Sequence, residues 1–128
     1  MKAAGQIVLT PFPNTDLSAA ELRPVLLLCK ASHRFDDWLV CMVSSQLHQA
    51  EPDLDELIHN TDEDFGATGL KISSIVRVSR LAVLQGESMI GRLGDISHVR
   101  LTALRRRVAR WIESSGQTVA TAAQDRRT

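Results

Sequence analysis

Residues 5–28 read GQIVLTPFPNTDLSAAELRPVLLL, and this stretch contains the first two predicted strands. It opens on a short β-branched run, which predicts a first strand because Pro11 and Pro13 exclude a helix there. The turn-forming residues 11–24 predict a long surface loop, a kind of segment that often carries function. Residues 24–30 are apolar and of strand length, so they predict a second strand.

Two further stretches extend this sheet. Residues 37–44, DWLVCMVS, are a second near-continuous apolar run and predict, with residues 24–30, a hairpin through the centre of the sheet. Residues 71–84 alternate apolar and polar side chains, which is the period of a half-buried strand. The acidic residues 51–69 contain turn signals and predict at most one or two helical turns.

The C-terminal part of the sequence predicts helix. Residues 87–93 predict a short helix closed by a glycine. Ser97 is a candidate N-cap for a last helix, whose apolar residues recur at helical spacing up to residues 114–116. One domain is expected over residues 1–115, followed by a flexible tail at 116–128 that has little to bury. Together the elements predict a mainly β fold with helices, a small β-barrel or rolled sheet capped by the C-terminal α-helix.

The composition fits a single soluble globular domain of 128 residues, of which 44% are hydrophobic and 23% charged. No apolar stretch approaches the roughly 20 residues that a membrane-spanning helix needs, and no secretory signal is readable, so the cytoplasm is the expected location. Cys29 and Cys41 match no disulfide, metal or redox motif, and the histidines match no zinc signature. We therefore expect no membrane contact, no metal and no cofactor.

Charge is unevenly distributed along a chain whose 15 basic and 15 acidic residues cancel. Residues 51–64 are acidic and contain no Lys or Arg, whereas residues 100–128 are rich in arginine. Either these two segments pair with each other, or the basic face of the last helix meets a polyanion or an acidic protein. The neutral total predicts no bulk attraction to nucleic acid.

The string at residues 5–28 resembles the opening of the MazF/PemK toxins of bacterial toxin–antitoxin pairs, which begin with a G-[DE]-I-V strand, a PFP-x-TDL loop and an RP-x-[LV]-[LV] strand. Residues 39–46 (LVCMVSSQ) are similar to the family's third strand, which ends in an Ile-Thr-Ser type triplet. Residues 69–84 and 90–96 resemble its G-L-x-x-x-S-x-[VI]-[RK] strand and its I-G-x-[LI] segment. The resemblance covers roughly residues 5–112.

This resemblance implies an SH3-like barrel that forms a homodimer, binds single-stranded RNA and cuts it without a metal. It implies Arg23 and Ser44 as catalytic residues, with Ser44 at the position of the family's Thr. The implied reaction is attack of a ribose 2′-hydroxyl on the adjacent phosphate, which leaves a 2′,3′-cyclic phosphate and a 5′-hydroxyl. A fixed guanidinium suits this reaction because negative charge develops on the non-bridging phosphate oxygens.

RNA contacts are expected from side chains around these two residues and from one further arginine: Phe12, Asn14, Thr15, Asp16, Ser45, Gln46 and Arg77. Phe12 could stack on a base, and polar side chains could read base edges. The residue that transfers the proton stays open among four candidates: Asp16, Glu21, His33 and His48.

The resemblance also implies a cognate antitoxin, whose acidic tail would compete with RNA for Arg23 and Arg77, and DNA contact only through that antitoxin. Two alternatives stand beside the nuclease. Serine lacks the methyl group that restricts χ1 of threonine, so Ser44 leaves open a weakened homologue that binds RNA or antitoxin without cutting. A CcdB-like gyrase inhibitor is the other alternative.

Overall fold

A computed structural model describes residues 2–12 and 21–127, together with the side chains in those ranges except those of residues 12 and 115–127. Six antiparallel strands of the described chain form one sheet: β1 (Gln6–Phe12), β2 (Glu21–Lys30), β3 (Asp37–Ser44), β4 (Glu56–Ile58), β5 (Ser74–Gln85) and β6 (Gly91–Asp95). Their order across the sheet is β4-β5-β3-β2-β1-β6. Two helices, α1 (Phe65–Thr68) and α2 (His98–Arg127), and two 3-10 turns, Leu47–Gln49 and Gly86–Ser88, complete the described fold.

Strands β2 and β3 form the central hairpin that the two apolar runs predict. Leu26 and Leu28 pack in one cluster with side chains of α2, whereas Val25 and Leu27 pack in a second cluster. Successive residues of a strand point to opposite faces, so the two clusters lie on opposite faces of the sheet. Burial on both faces explains why the sequence of β2 is continuously apolar rather than alternating.

The sheet is curled into a half-barrel, and the mixed β and α architecture agrees with the predicted fold class. The register of β3 on β5 shifts after Cys41↔Leu81, so that Met42 pairs with Arg77 and three residues of β5 are accommodated between. Such bulges increase strand twist and bend the sheet. At the edge strand β6, Gly94 lies so close to the backbone of α1 that a Cβ atom there would collide with it.

The long loop expected at residues 11–24 is shorter than predicted. Pro11 pairs with Leu22, and Phe12 pairs with Glu21, so β1 and β2 extend into that stretch. Proline is tolerated here because β6 pairs only with the first part of β1, from Gln6 to Leu9. Arg23 therefore lies inside β2 rather than just before the strand.

Two short edge strands contradict the sequence prediction. Residues 56–58 form β4, where helical turns were expected, and the single turn of α1 comes later, at Phe65–Thr68. The helix predicted at residues 87–93 is also wrong, since this stretch holds a 3-10 turn and the start of β6. Strands of three to five residues owe their conformation to pairing with a neighbour, which no local pattern records.

Helix α2 begins as predicted but does not end as predicted. The Ser97 hydroxyl oxygen accepts a hydrogen bond from the backbone N–H of Arg100 at 3.2 Å, which is the N-cap bond. The helix then continues through residues 114–116 to Arg127. One glycine inside a helix costs only about 1 kcal/mol, so the SSG stretch is compatible with helix. The domain division at residue 115 and the flexibility of the tail stay predictions.

Among the described residues, no helix has the length and the apolar character needed to cross a membrane.

Candidate functional site

Arg23 and Ser44 come together at one end of the central hairpin. In the β2–β3 ladder, Val25 pairs with Met42 and Leu26 with Cys41. Extending this register by two residues places Arg23 opposite Ser44, near the start of β2 and at the end of β3. Directly opposed residues of antiparallel strands have Cβ atoms about 4.5–5.5 Å apart, so the register continued in this way brings the two side chains next to each other.

Both side chains also lie on the same face of the sheet. Arg23 precedes Val25 by two residues, and Ser44 follows Val40 by four, so each shares the face of the second apolar cluster, to which Val25 and Val40 belong. Neither side chain is sealed in that cluster: the Arg23 side chain is 34% exposed, and Ser44 is half-buried. A guanidinium and a hydroxyl are thus presented together at the margin of a rigid sheet.

Glu21 accompanies Arg23 on the same strand. The Arg23 Nη2 atom donates a hydrogen bond to Glu21 Oε2 at 3.0 Å. The carboxylate is well exposed, with 64% of its side-chain surface accessible. A spacing of two residues in a strand puts both side chains on one face.

Thr10 supports this pair from the neighbouring strand β1, where it pairs with Arg23. It is fully buried, and its hydroxyl donates to the backbone oxygen of Ser88 at 3.2 Å. This bond ties β1 to the 3-10 turn at Gly86–Ser88 and stiffens the strand beside Arg23.

The Ser44 hydroxyl is oriented by a local turn. Its Oγ atom accepts a hydrogen bond from the backbone N–H of Gln46 at 3.1 Å. Because the hydroxyl serves there as an acceptor, its own hydrogen can donate to another group. Ser45 and Gln46 follow at the surface, both exposed.

Arg77 is placed differently from the other predicted contacts. It lies on β5, next to the Ser44↔Ile75 pair, but it is buried. Its Nε atom is 3.4 Å from an oxygen of Asp55, and Nη1 donates to Gln49 at 3.2 Å. Arg77 therefore helps to hold the segment between β3 and β4 in place, and its contact with RNA stays a prediction.

Asp55 is the centre of that attachment. Its carboxylate is fully buried and accepts hydrogen bonds from the Ser79 backbone N–H at 3.1 Å and from the Ser79 hydroxyl at 3.0 Å. It also accepts one from the backbone N–H of Glu51 at 2.9 Å. A buried carboxylate needs several such donors, and this set fixes the chain that follows Ser44.

The remaining predicted RNA contacts lie at or beyond the limits of the described chain. The backbone of Phe12 ends β1 and pairs with Glu21, while its side chain is not described. Asn14, Thr15 and Asp16 lie outside the described residues. Their positions as RNA contacts stay predictions.

The structure distinguishes the four proton-transfer candidates by where they lie relative to Arg23 and Ser44. His33 follows the far end of β2, and the seven residues from Arg23 to Lys30 span roughly 23 Å of strand. His48 lies in the exposed 3-10 turn Leu47–Gln49, which follows Ser44 in the sequence, and Asp16 is outside the described chain. Glu21 is directly bonded to Arg23.

The acidic segment and the basic helix pair with each other, as one of the two sequence interpretations proposes. Arg100 is bonded to Asp64 at 2.9 Å, to Asp62 at 3.1 Å and to Glu56 at 3.1 Å. Arg107 reaches the same Glu56 at 3.3 Å. The hydrogen bond from Arg100, reinforced by one from Ser97 and opposed by partial burial, lowers the pKa of Asp64 to about 2. Two arginines of the helix, Arg100 and Arg107, are thus paired with acidic side chains within the fold.

The cysteines behave as apolar residues. Cys41 is buried in the first cluster, and burial raises the pKa of its thiol, which stays protonated and unreactive near neutral pH. Cys29 is half-buried. In residues 2–12 and 21–127, no group of three or more His, Cys, Asp or Glu side chains is arranged to hold a metal ion.

Comparison with protein families identifies one family. A family model described as "PemK-like, MazF-like toxin of type II toxin-antitoxin system" matches residues 3–112. The Mycobacterium tuberculosis toxin MazF-mt6 is 15% identical, with a TM-score of 0.62 over 84% of this chain and 96% of that chain. An endoribonuclease in complex with its cognate antitoxin from Mycobacterial species is 10% identical, with a TM-score of 0.63 over 88% of this chain and 96% of that chain. At such identities the structural likeness shows the fold alone. No curated protein matches the sequence.

Proposed function

We propose that this chain, which belongs to the PemK-like, MazF-like toxins of type II toxin–antitoxin systems, is an endoribonuclease that cuts single-stranded messenger RNA without a metal. The observation that supports the proposal is the β2–β3 register, in which Val25 pairs with Met42; continued by two residues, this register brings Arg23 opposite Ser44. In this proposal a cognate antitoxin holds the enzyme silent in the cytoplasm.

The reaction proposed is a transesterification within the RNA. The 2′-oxygen forms a bond to phosphorus, the bond from phosphorus to the 5′-oxygen breaks, and the products carry a 2′,3′-cyclic phosphate and a 5′-hydroxyl. Arg23 stabilises the charge that develops on the non-bridging oxygens, because a guanidinium presents parallel donors to a phosphate. The strand and the following Pro24, which restricts the backbone of Arg23, hold this cation in place.

Ser44 supplies a second donor to the same phosphate or positions the 2′-hydroxyl. The missing methyl group loosens χ1 relative to threonine. The hydrogen bond from the Gln46 N–H offsets part of that loss, because it fixes the oxygen at the end of β3. This supports an active enzyme with serine at that position.

RNA contacts are assigned to the residues that flank this pair: Phe12, Asn14, Thr15, Asp16, Ser45 and Gln46. Arg77 is proposed to act indirectly, since its bonds to Asp55 and Gln49 hold the segment that follows Ser44. RNA is proposed to cross the surface of a homodimer, as the family resemblance implies. Sedimentation of the purified chain tests the dimer.

The decisive assay incubates the purified protein with single-stranded RNA in EDTA. We expect fragments that end in a 2′,3′-cyclic phosphate, and a loss of about 100-fold to 1000-fold in cleavage rate for Arg23→Ala and Ser44→Ala. Arg106→Ala, which removes an exposed arginine of α2, is the matched control. Intact RNA with the wild type, or cleavage that survives Arg23→Ala, would defeat the proposal.

A second candidate function is RNA binding without cleavage. The observation that favours it is the bond between Glu21 and Arg23, which partly neutralises the cation meant for the phosphate. This version predicts retention of intact RNA with a shallow dependence on salt, because few phosphates are neutralised. A CcdB-like gyrase inhibitor would instead produce topoisomerase-linked DNA breaks, and the pairing of Arg23 with Ser44 gives it no support.

The antitoxin is proposed to cover the same face with acidic side chains, and to provide the protein's only link to DNA. One solved structure with this fold is an endoribonuclease in complex with its cognate antitoxin. Arg23→Glu should weaken antitoxin binding through direct repulsion. Arg77→Glu should weaken it through Asp55, since both charges would then be negative and buried. Unchanged affinity in both variants would remove the basis for this assignment.

A further inference from the structure

We infer that Glu21 is the general base that takes the proton from the attacking 2′-hydroxyl, an assignment that rests on the proposed nuclease function. No feature of the Glu21 side chain taken alone selects it in the sequence. The position of Glu21 in the sheet selects it, because β2 begins at Glu21 and not at Pro24, where the sequence predicts the strand to begin.

The geometry joins the base to the cation. Glu21 and Arg23 lie on the same face of β2, and their side chains are bonded at 3.0 Å. In the register continued from Val25↔Met42, Ser44 lies across from Arg23, so the three side chains lie at the same end of the hairpin. When Arg23 and Ser44 hold a phosphate, the adjacent ribose lies within reach of the Glu21 carboxylate, which is two residues from Arg23 along β2.

The alternative bases fit less well. His33 lies at the opposite end of β2, beyond Lys30. His48 lies in the exposed 3-10 turn Leu47–Gln49 rather than on β2 beside Arg23. Asp16 lies outside the described residues and is therefore included in the test.

The step balances without a cofactor. The Glu21 carboxylate accepts the 2′-hydroxyl proton while the 2′-oxygen bonds to phosphorus and the 5′-oxygen leaves. The 5′-oxygen takes a proton from water, and Glu21 returns its proton to solvent. Arg23 fixes the direction of the carboxylate during this transfer, so its two roles are to orient the base and to stabilise the phosphate.

The test compares single-turnover cleavage across pH for the wild type, Glu21→Gln and Glu63→Gln. Glu63 is exposed and lies beyond β4, the strand three places from β2, so it controls for the loss of one charge. We expect Glu21→Gln to cut at least about 100-fold more slowly, which is the usual contribution of a general base. The wild-type cleavage rate should fall on the acid side of its pH profile, and Glu21→Gln should lack this acid limb.

Binding is measured separately with an RNA that carries a 2′-deoxyribose at the cleavage position and cannot be cut. We expect Glu21→Gln to bind this RNA at least as tightly as the wild type, since a negative charge beside the phosphate is removed. Binding more than tenfold weaker would overturn the inference, because the rate loss would then reflect a damaged site.

Three kinetic outcomes would overturn the assignment of Glu21 as the general base. A Glu21→Gln variant that cuts at nearly the wild-type rate with the same acid limb overturns the inference, while a dead Arg23→Ala leaves the nuclease proposal intact. An Asp16→Asn variant that alone removes the acid limb assigns the base to Asp16 and overturns it as well. A wild type that cuts no RNA in EDTA refutes the nuclease proposal itself, and the assignment of Glu21 falls with it.

Discussion

Replacing Arg100 with glutamine removes the cation that joins helix α2 to the acidic segment. Arg100 is bonded to Asp64, Asp62 and Glu56, and 16% of its side-chain surface is exposed. Glutamine keeps much of the length of the side chain but leaves three carboxylates without their shared partner. We therefore expect a loss of stability that depends on whether those carboxylates are ionised.

The magnitude follows from Asp64. Its pKa of about 2 in the folded protein lies below the ordinary 3.8, and this difference corresponds to about 2 kcal/mol of stability at neutral pH. The group is open to solvent on one side, so screening reduces the figure to about 1–2 kcal/mol. Because the folded pKa is depressed, this contribution is complete above pH 3.8 and is lost as the pH falls through about 2.

The assay is urea unfolding followed by circular dichroism between pH 2 and pH 7, at one protein concentration. We expect the free energy of unfolding of Arg100→Gln to lie about 1–2 kcal/mol below that of the wild type at pH 6. The difference should shrink to less than half as the pH approaches 2. Arg106→Gln, an exposed arginine of the same helix, should stay within about 0.5 kcal/mol of the wild type at every pH.

A constant difference across this range would contradict this expectation, because the ionisation of Asp64 would then not depend on Arg100. A difference that grows towards acid pH would contradict it in sign.

Three further outcomes are expected. Gly94→Ala forces a Cβ atom against the backbone of α1 and should cost about 1–3 kcal/mol in urea unfolding, whereas Gly91→Ala, which meets open space, should not. Ser97→Ala removes the N-cap bond of α2 and should lower stability by about 1 kcal/mol, a change read as a fall in melting temperature. Ser44→Thr restores the methyl group that restricts χ1 and should cut RNA at least as fast as the wild type; a loss as large as that of Ser44→Ala would show that the position does not act through its hydroxyl.

The central strands and the last helix could be predicted because the local sequence pattern records which of their residues are buried. Strand β2 is covered on both faces and therefore reads as an unbroken apolar run, and Ser97 stands where an N-cap is needed. The edge strands β4 and β6 could not be predicted, since their three and five residues become strands only by pairing with β5 and β1. The extension of β1 was not predicted because Pro11 lacks a backbone N–H. That N–H would be needed only where β6 pairs with β1, and β6 does not pair with this part of the strand.

The candidate site was accessible in the sequence only in part. Arg23 and Ser44 were named through the family string, and the register of two strands then supplied their juxtaposition. Glu21 stood among four candidates with nothing to select it, because the loop prediction concealed its position on β2. The engagement of Arg77 could not be foreseen, since Asp55 lies 22 residues away in sequence and reaches it only through folding.

The mutual pairing of the acidic segment and α2 governs how the protein encounters its ligands. Opposite charges only a few ångströms apart cancel beyond a Debye length, which is about 8 Å at physiological ionic strength. A polyanion diffusing nearby therefore receives little long-range guidance, and its association rate should vary only weakly with ionic strength. Discrimination between polyanions is then left to shape and to short-range contacts.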